Sequence, residues 1–183
     1  MPVDSSRRIV VAGVALTGFA SIALPTATLA NQLGLPSGSR ALTLHNVWTK
    51  KDTTFLLGRN EPFRREWVQE LNFSLRDHHN GRVGKMDPEL VTHLMDIQDV
   101  LGLDNPTFEI LSAYRSRQTQ ARLRRNGERV ANESMHLKGR ALDIRIRGVL
   151  MRDLRDAALD LKTGGVGSYH RFVHFDTGPR RRW

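Results

Sequence analysis

Cysteine is absent from the 183 residues. That one absence removes thiolate metal sites, disulfide staples, a cysteine nucleophile and a lipid-modified N-terminal cysteine. A zinc site in such a chain has only imidazole and carboxylate to draw on, a donor set that suits a catalytic site better than a closed structural one. Acidic side chains are also scarce: 19 Asp and Glu face 28 Lys and Arg, giving a net charge of +9. Such a balance favours an anionic partner (nucleic acid, a membrane surface or an acidic wall polymer) without choosing among them. Otherwise the composition is that of a globular protein, 39% hydrophobic and 26% charged, which argues against wholesale disorder. The length suits one domain with a real core.

Long apolar runs are missing too, apart from Ile9 to Leu24, which is shorter than the roughly 20 residues of a spanning helix. It follows Ser5-Ser6-Arg7-Arg8 and precedes Pro25 and small residues ending at Ala30. A charged n-region, an h-region and a small-residue cleavage region make an export signal, and the paired arginines look like the twin-arginine type. Residues 1–30 are expected to be removed after Ala30, the alternative being an uncleaved anchor. The mature protein would then be periplasmic or secreted with no membrane contact, and nucleic acid becomes a poor partner. Residues 31–41 read as a linker and 42–183 as the folded domain.

Within that domain Leu42–Trp48 and Thr53–Leu57 predict a hairpin. Trp67, Val68, Leu71 and Leu75 predict a helix over Glu66–His79. Asp87-Pro88 starts another, with Asp as N-cap, Pro at the first position and Leu90, Leu94, Ile97 and Leu101 as its buried stripe. Phe108–Ala113 reads as a strand, and Ser116 can cap a basic helix ending near Arg125. Asn126 to Glu133 is a polar loop. From Ala141 to Arg147 the chain alternates, with Leu142, Ile144 and Ile146 on one face and Asp143, Arg145 and Arg147 on the other. Leu150–Lys162 is a helix ended by Thr163-Gly164-Gly165. A last strand, Arg171–Asp176, sets Val173 and Phe175 against Phe172, His174 and Asp176. Without a regular β-α-β rhythm, the expectation is an α+β fold, a small antiparallel sheet flanked by helices.

The chemistry concentrates in Ser134-Met135-His136-Leu137-Lys138-Gly139-Arg140-Ala141-Leu142-Asp143. Asp143 and His174 both lie on non-core faces of their strands. If those strands are neighbours, the two project from one surface, and a turn at Gly139 brings His136 back over it. Two imidazoles and a carboxylate leave a fourth position open for water, as a hydrolytic zinc requires. His45, His78, His79 and His93 have no recognisable partners and read as surface or hydrogen-bonding residues. Arg180-Arg181-Arg182 reads as a solvated tail.

Ser134-x-His136-x-x-Gly139-x-Ala141-x-Asp143 resembles the signature of the LAS-type zinc peptidases. Ser112-Ala113-Tyr114-Arg115-Ser116 is similar to the Ser-Gly-Tyr-Arg-Ser segment of that family. Gly164-Gly165-Val166-Gly167 and Phe172-Val173-His174-Phe175-Asp176-Thr177-Gly178-Pro179, with the early Leu42-Thr43-Leu44 and Trp183, resemble its murein endopeptidase branch. The resemblance implies Zn2+ held by His136, Asp143 and His174 on one sheet face. It also implies that Arg115 points into the cleft to stabilise an oxyanion or grip a carboxylate. The expected substrate is peptidoglycan, cut at cross-links between diaminopimelate residues. A stem-peptide carboxypeptidase and a non-catalytic wall-binding module are the competing readings. The chain departs from the family at Arg171, where many members carry an acidic general base and arginine cannot serve. Asp176 and His170 are the remaining candidates, although Asp176 could equally cap the Thr177-Gly178 turn and His170 could be a loop residue.

Overall fold

A computed structural model describes residues 7–11, 14–17, 39–57, 63–128 and 130–183. Strands β1 (Arg7–Val11) and β2 (Val14–Thr17) fall inside the expected export signal. The rest of that signal, the cleavage point after Ala30 and the linker as far as residue 38 lie outside the described residues. From residue 40 onward come β3 (Arg40–Asn46), β4 (Lys51–Leu57), β5 (Thr107–Ser112), β6 (Ala141–Ile146), β7 (Gly165–Ser168), β8 (Val173–Asp176) and β9 (Arg181–Arg182). These seven form one sheet in the order β4-β3-β5-β6-β8-β7-β9, and β1 and β2 continue it beyond β4.

The sheet is mixed, which corrects the expectation of a small antiparallel one: β3 with β5 and β7 with β9 run parallel. The cause is the long connection after β4, which carries α1 (Arg65–Ser74) and α2 (Glu89–Val100). It passes over β3 and sets β5 down on the far side; because β5 runs opposite to β4 and β4 opposite to β3, β5 lies parallel to β3. The strands β7 and β9 were not expected either, since Gly-Val-Gly-Ser and a pair of arginines carry no alternating pattern.

Register follows from burying one face. Ile144 pairs with Ile110 and Val173, and Phe175 pairs with Leu142 and Val166. These residues join one core cluster with Trp67 and Leu71 of α1, Leu90 and Leu94 of α2, and Leu154 and Ala158 of α4 (Met151–Asp160). Because strand side chains alternate, this pairing forces the intervening residues to the opposite face, and a one-residue slip would expose the whole core set. Asp143 and His174 therefore sit directly opposite one another on the open face.

Element ends differ from the sequence reading where a side chain intercepts the backbone. Helix α1 stops at Ser74 rather than His79, because the Leu75 carbonyl accepts Tyr114 N–H (3.1 Å) and the chain turns at Asp77. Helix α2 begins at Glu89 with Pro88 in the cap position, while Asp87 still accepts Glu89 N–H (3.1 Å). Ser116 caps α3 (Arg117–Arg125) as expected, its Oγ accepting Thr119 N–H at 3.2 Å. Helix α4 is shorter at both ends than Leu150–Lys162, and β8 begins at Val173 rather than Arg171. Among the described residues no helix is long and apolar enough to cross a membrane.

Asp77 ties the loop after α1 to the start of α3. Its side chain is buried (1% exposed) and accepts Ser116 N–H at 2.9 Å and His79 N–H at 2.9 Å. Burial pushes its carboxyl up, but the hydrogen bonds from Thr119, Ser116 and His79 outweigh that and hold it below the ordinary value. Asp77→Ala strands a buried donor and is expected to cost about 2–3 kcal/mol in urea unfolding. Because the folded carboxyl titrates below the unfolded one, its contribution is complete above the unfolded pKa and disappears as pH falls through the folded value. The acid limb of the stability curve should therefore be shallower in Asp77→Asn than in the wild type.

Candidate metal centre

Three elements deliver the three expected ligands. Asp143 comes from the middle of β6 and His174 from its direct partner in β8. His136 comes from the 3-10 turn Met135–Lys138, closed by Gly139 at φ +66°. A β-carbon at Gly139 would collide with the Lys85 carbonyl, so the left-handed conformation and the close approach both require glycine there. All three side chains are buried, and one donor atom from each lies within 4.8 Å of the others. Among the described residues they are the one such group of three.

Each imidazole has its far nitrogen occupied. His136 Nδ1 faces the Ala113 carbonyl at 2.7 Å, which directs Nε2 toward Asp143 Oδ1 at 3.3 Å. His174 Nε2 faces Asp176 Oδ2 at 3.1 Å, which directs Nδ1 toward Asp143 Oδ1 at 2.8 Å. Carbonyl and carboxylate partners of this kind fix the tautomer and raise the basicity of metal-ligating histidines. Burial pushes the Asp143 carboxyl up, yet the two imidazoles more than offset it and hold it far below the usual carboxylate range. For His174 burial works downward, while hydrogen bonds to Asp143 and Asp176 raise the imidazole above its ordinary value. Two nitrogens and one carboxylate oxygen, one donor short of a closed tetrahedron, fit zinc in a catalytic type of site.

Arg115 lies beside this cluster. Its backbone N–H donates to the His136 carbonyl (3.1 Å), and its guanidinium donates to Gln120 Oε1 (3.2 Å) and Ser112 Oγ (3.3 Å). Burial lowers its pKa, opposed first by the charge of Asp143. Ser112 reaches the open face because β5 bulges: Ile110 pairs with Ile144 but Ser112 with Asp143, leaving Leu111 extra. Gln120 is buried and itself held by the Ala131 carbonyl at 2.7 Å. The sequence reading missed Gln120 as a support; its i+5 spacing from Arg115 across a helix cap was the available signal.

The two candidate bases fare differently. Asp176 does not stand free to accept a proton. It is fully buried, Oδ1 accepts Gly178 N–H (2.8 Å) and Gly165 N–H (3.1 Å), and Oδ2 is engaged by Arg181 and His174. The turn-capping alternative describes it, with a carboxylate–histidine contact added. His170 is exposed in the bend between β7 and β8, two residues beyond Ser168 of the last β7–β8 pair, with exposed Arg171 beside it. The arginine run is not simply a solvated tail, since Arg181 Nη2 lies 2.6 Å from Asp176 Oδ2.

Of the histidines given no site role, His45 pairs with Asp52 (2.6 Å) and His93 packs edge-on against Phe175. His78 stacks flat on Trp48 at 4.6 Å. Burial and the neighbouring His79 push its imidazole down to about 4, against the pull of Asp77.

Comparison with known proteins bears on what this arrangement does. A family model described as Peptidoglycan L,D-endopeptidase MepK matches residues 36–183. The chain is 39% identical over 186 residues to the peptidoglycan L,D-endopeptidase MepK of Escherichia coli (strain K12), covering 98% of each chain. It is 38% identical over 146 residues to a probable peptidoglycan L,D-endopeptidase MepK of Haemophilus influenzae, covering 79% of this chain and 78% of that one. No solved structure matches.

A ligand that binds only the folded chain at 100 times its dissociation constant stabilises it by about 2.7 kcal/mol. At roughly 2–4 °C per kcal/mol for a chain of this size, zinc at that excess should raise the melting temperature by about 5–10 °C in a thermal scan. His136→Ala, Asp143→Ala and His174→Ala should each abolish the shift.

Proposed function

The chain belongs to the peptidoglycan L,D-endopeptidase MepK family, and from that membership we propose that it is a zinc-dependent murein endopeptidase. Its substrate is the peptide cross-link of peptidoglycan, and its role is cell-wall remodelling. An L,D-endopeptidase cuts internally between an L and a D centre, which suits links between two diaminopimelate residues. The observation that carries the reading is the buried His136–Asp143–His174 cluster in a chain that matches the family model from residue 36 to its last residue. Peptidoglycan lies outside the cytoplasmic membrane, so a periplasmic or extracellular site of action follows, reached through the twin-arginine-type segment at the N-terminus. A net charge of +9 suits an anionic wall polymer.

When bound at the cluster, zinc supplies Lewis-acid polarisation of the scissile carbonyl and a water of lowered pKa. The chain's own groups do the rest. Asp143 offers its ionised carboxylate, and the two imidazoles present nitrogens whose orientation is fixed from behind by the Ala113 carbonyl and Asp176. Arg115, half-buried and held by Gln120 and Ser112, keeps a guanidinium aimed at the charge that develops on the carbonyl oxygen or at a substrate carboxylate. His170, exposed in the β7–β8 bend four residues before His174, would be the group to take up a proton from the attacking water and return it to the departing amine.

Incubating purified sacculi with the protein should release monomers from cross-linked dimers, and a chelator should stop it. Shortened monomer tails with intact dimers would instead assign a carboxypeptidase, and binding without cleavage a wall-binding module. Arg115→Ala should lower kcat by about 10²–10³-fold while the zinc-dependent thermal shift persists. His170→Ala should lower kcat by about 10²-fold or more; an unchanged kcat would remove His170 from the mechanism.

A further inference from the structure

Asp176 is completely buried, yet its neighbours from β7 and the following turn offer only the backbone N–H groups of Gly165 and Gly178. A carboxylate in that setting needs a cation, and the cation comes from β9. Arg181 grips it with both terminal nitrogens, Nη2 at 2.6 Å from Oδ2 and Nη1 at 3.1 Å from Oδ1. The same Oδ2 faces His174 Nε2 at 3.1 Å. A connected line therefore runs from Arg181 through Asp176 to the far nitrogen of a metal-ligand histidine.

The fold makes room for this line. A β-carbon at Gly165 would come within 2.6 Å of Asp176 Oδ2 and 2.7 Å of Arg181 Nη1. One at Gly167, the residue opposite His174 in β7, would come within 2.6 Å of the Trp183 indole. The indole thus occupies the space the glycine leaves and lies 5.3 Å from the His174 ring, with Nε1 donating to Tyr169 Oη at 2.9 Å. Backbone bonds hold the segment in place: Arg181 N–H to Gly164 O (3.1 Å), Trp183 N–H to Val166 O (3.2 Å) and Ser168 N–H to Trp183 O (3.0 Å).

We propose that Arg181 is a positioning residue of the metal centre, setting zinc affinity through Asp176 and His174. The guanidinium fork fixes the carboxylate in orientation and charge, the carboxylate holds the proton on Nε2, and Nδ1 is left as a better donor to the metal. Trp183 covers the imidazole and keeps water away from the contact. The inference rests on the metallopeptidase reading and deepens it.

The test is zinc affinity of the full chain, measured by competition with a chromogenic chelator after removal of bound metal. Arg181→Ala should weaken binding about 10–100-fold. Arg181→Lys should recover part of the loss, since an ammonium restores the charge but not the fork. Arg180→Ala, which changes an exposed neighbour, should stay within about twofold of the wild type on the same reasoning. Exchange of the His174 Nε2 proton in the zinc-loaded protein provides a second readout: it should be slow in the wild type, where Asp176 holds that proton, and faster in Arg181→Ala. Should Arg181→Ala fail to fold, Arg181→Lys and Arg181→Gln carry both comparisons. Zinc binding and proton exchange unchanged in these variants overturn the inference and leave the peptidase reading intact. A wild-type chain that takes up no zinc overturns both.

Discussion

A single ionised carboxylate, Asp143, set within a sheet between two imidazoles, is the constraint around which the rest of the structure is arranged. An unpaired charge in that position would be costly enough to unfold a small domain or to force the group neutral. It is tolerated because His136 and His174 converge on the same oxygen. Each of those histidines depends in turn on a partner behind it, Ala113 O and Asp176. Ligand geometry is thereby transferred to backbone positions fixed by the core. A metal entering such a site finds donors already oriented, so little ordering remains to be done at binding.

Distant segments reach this point through few contacts. The loop between α1 and α2 touches the site's supports in several places: Asp77 holds the start of α3, the Leu75 carbonyl holds Tyr114, and Asp87 N–H reaches the Gly139 carbonyl at 2.9 Å. The residues flanking Arg115 are consequently secured from below by a segment that contributes no ligand. The β5 bulge adds the last adjustment, turning Ser112 toward the guanidinium while Ile110 stays in the core. A bulge beside a site is a common way of re-aiming one side chain without disturbing the strand around it.

What could be read from the sequence was what obeys a period. Leu142, Ile144 and Ile146 declared the core face of β6, and that alternation alone put Asp143 on the other side with His174. The Ser116 cap was legible because its partner lies three residues away. Sheet order was not, since nothing in a strand's own pattern states which neighbour it takes after a connection of two helices. Asp176 was ambiguous for a related reason. Its face was readable from the alternation, but the arginine that occupies it arrives from another strand, and a run of three arginines looks solvated until one is seen to have a buried partner.

Gly167 and Trp183 compete for one volume on the open face of the sheet, and the indole can be there only while position 167 has no side chain. The two positions, in different strands, therefore behave as one heritable character. Replacing the glycine displaces the indole, and trimming the indole leaves the imidazole of His174 uncovered. A descendant chain that drifts at either position passes through a poorer site before the other can adjust, so variation at the pair should occur jointly or not at all.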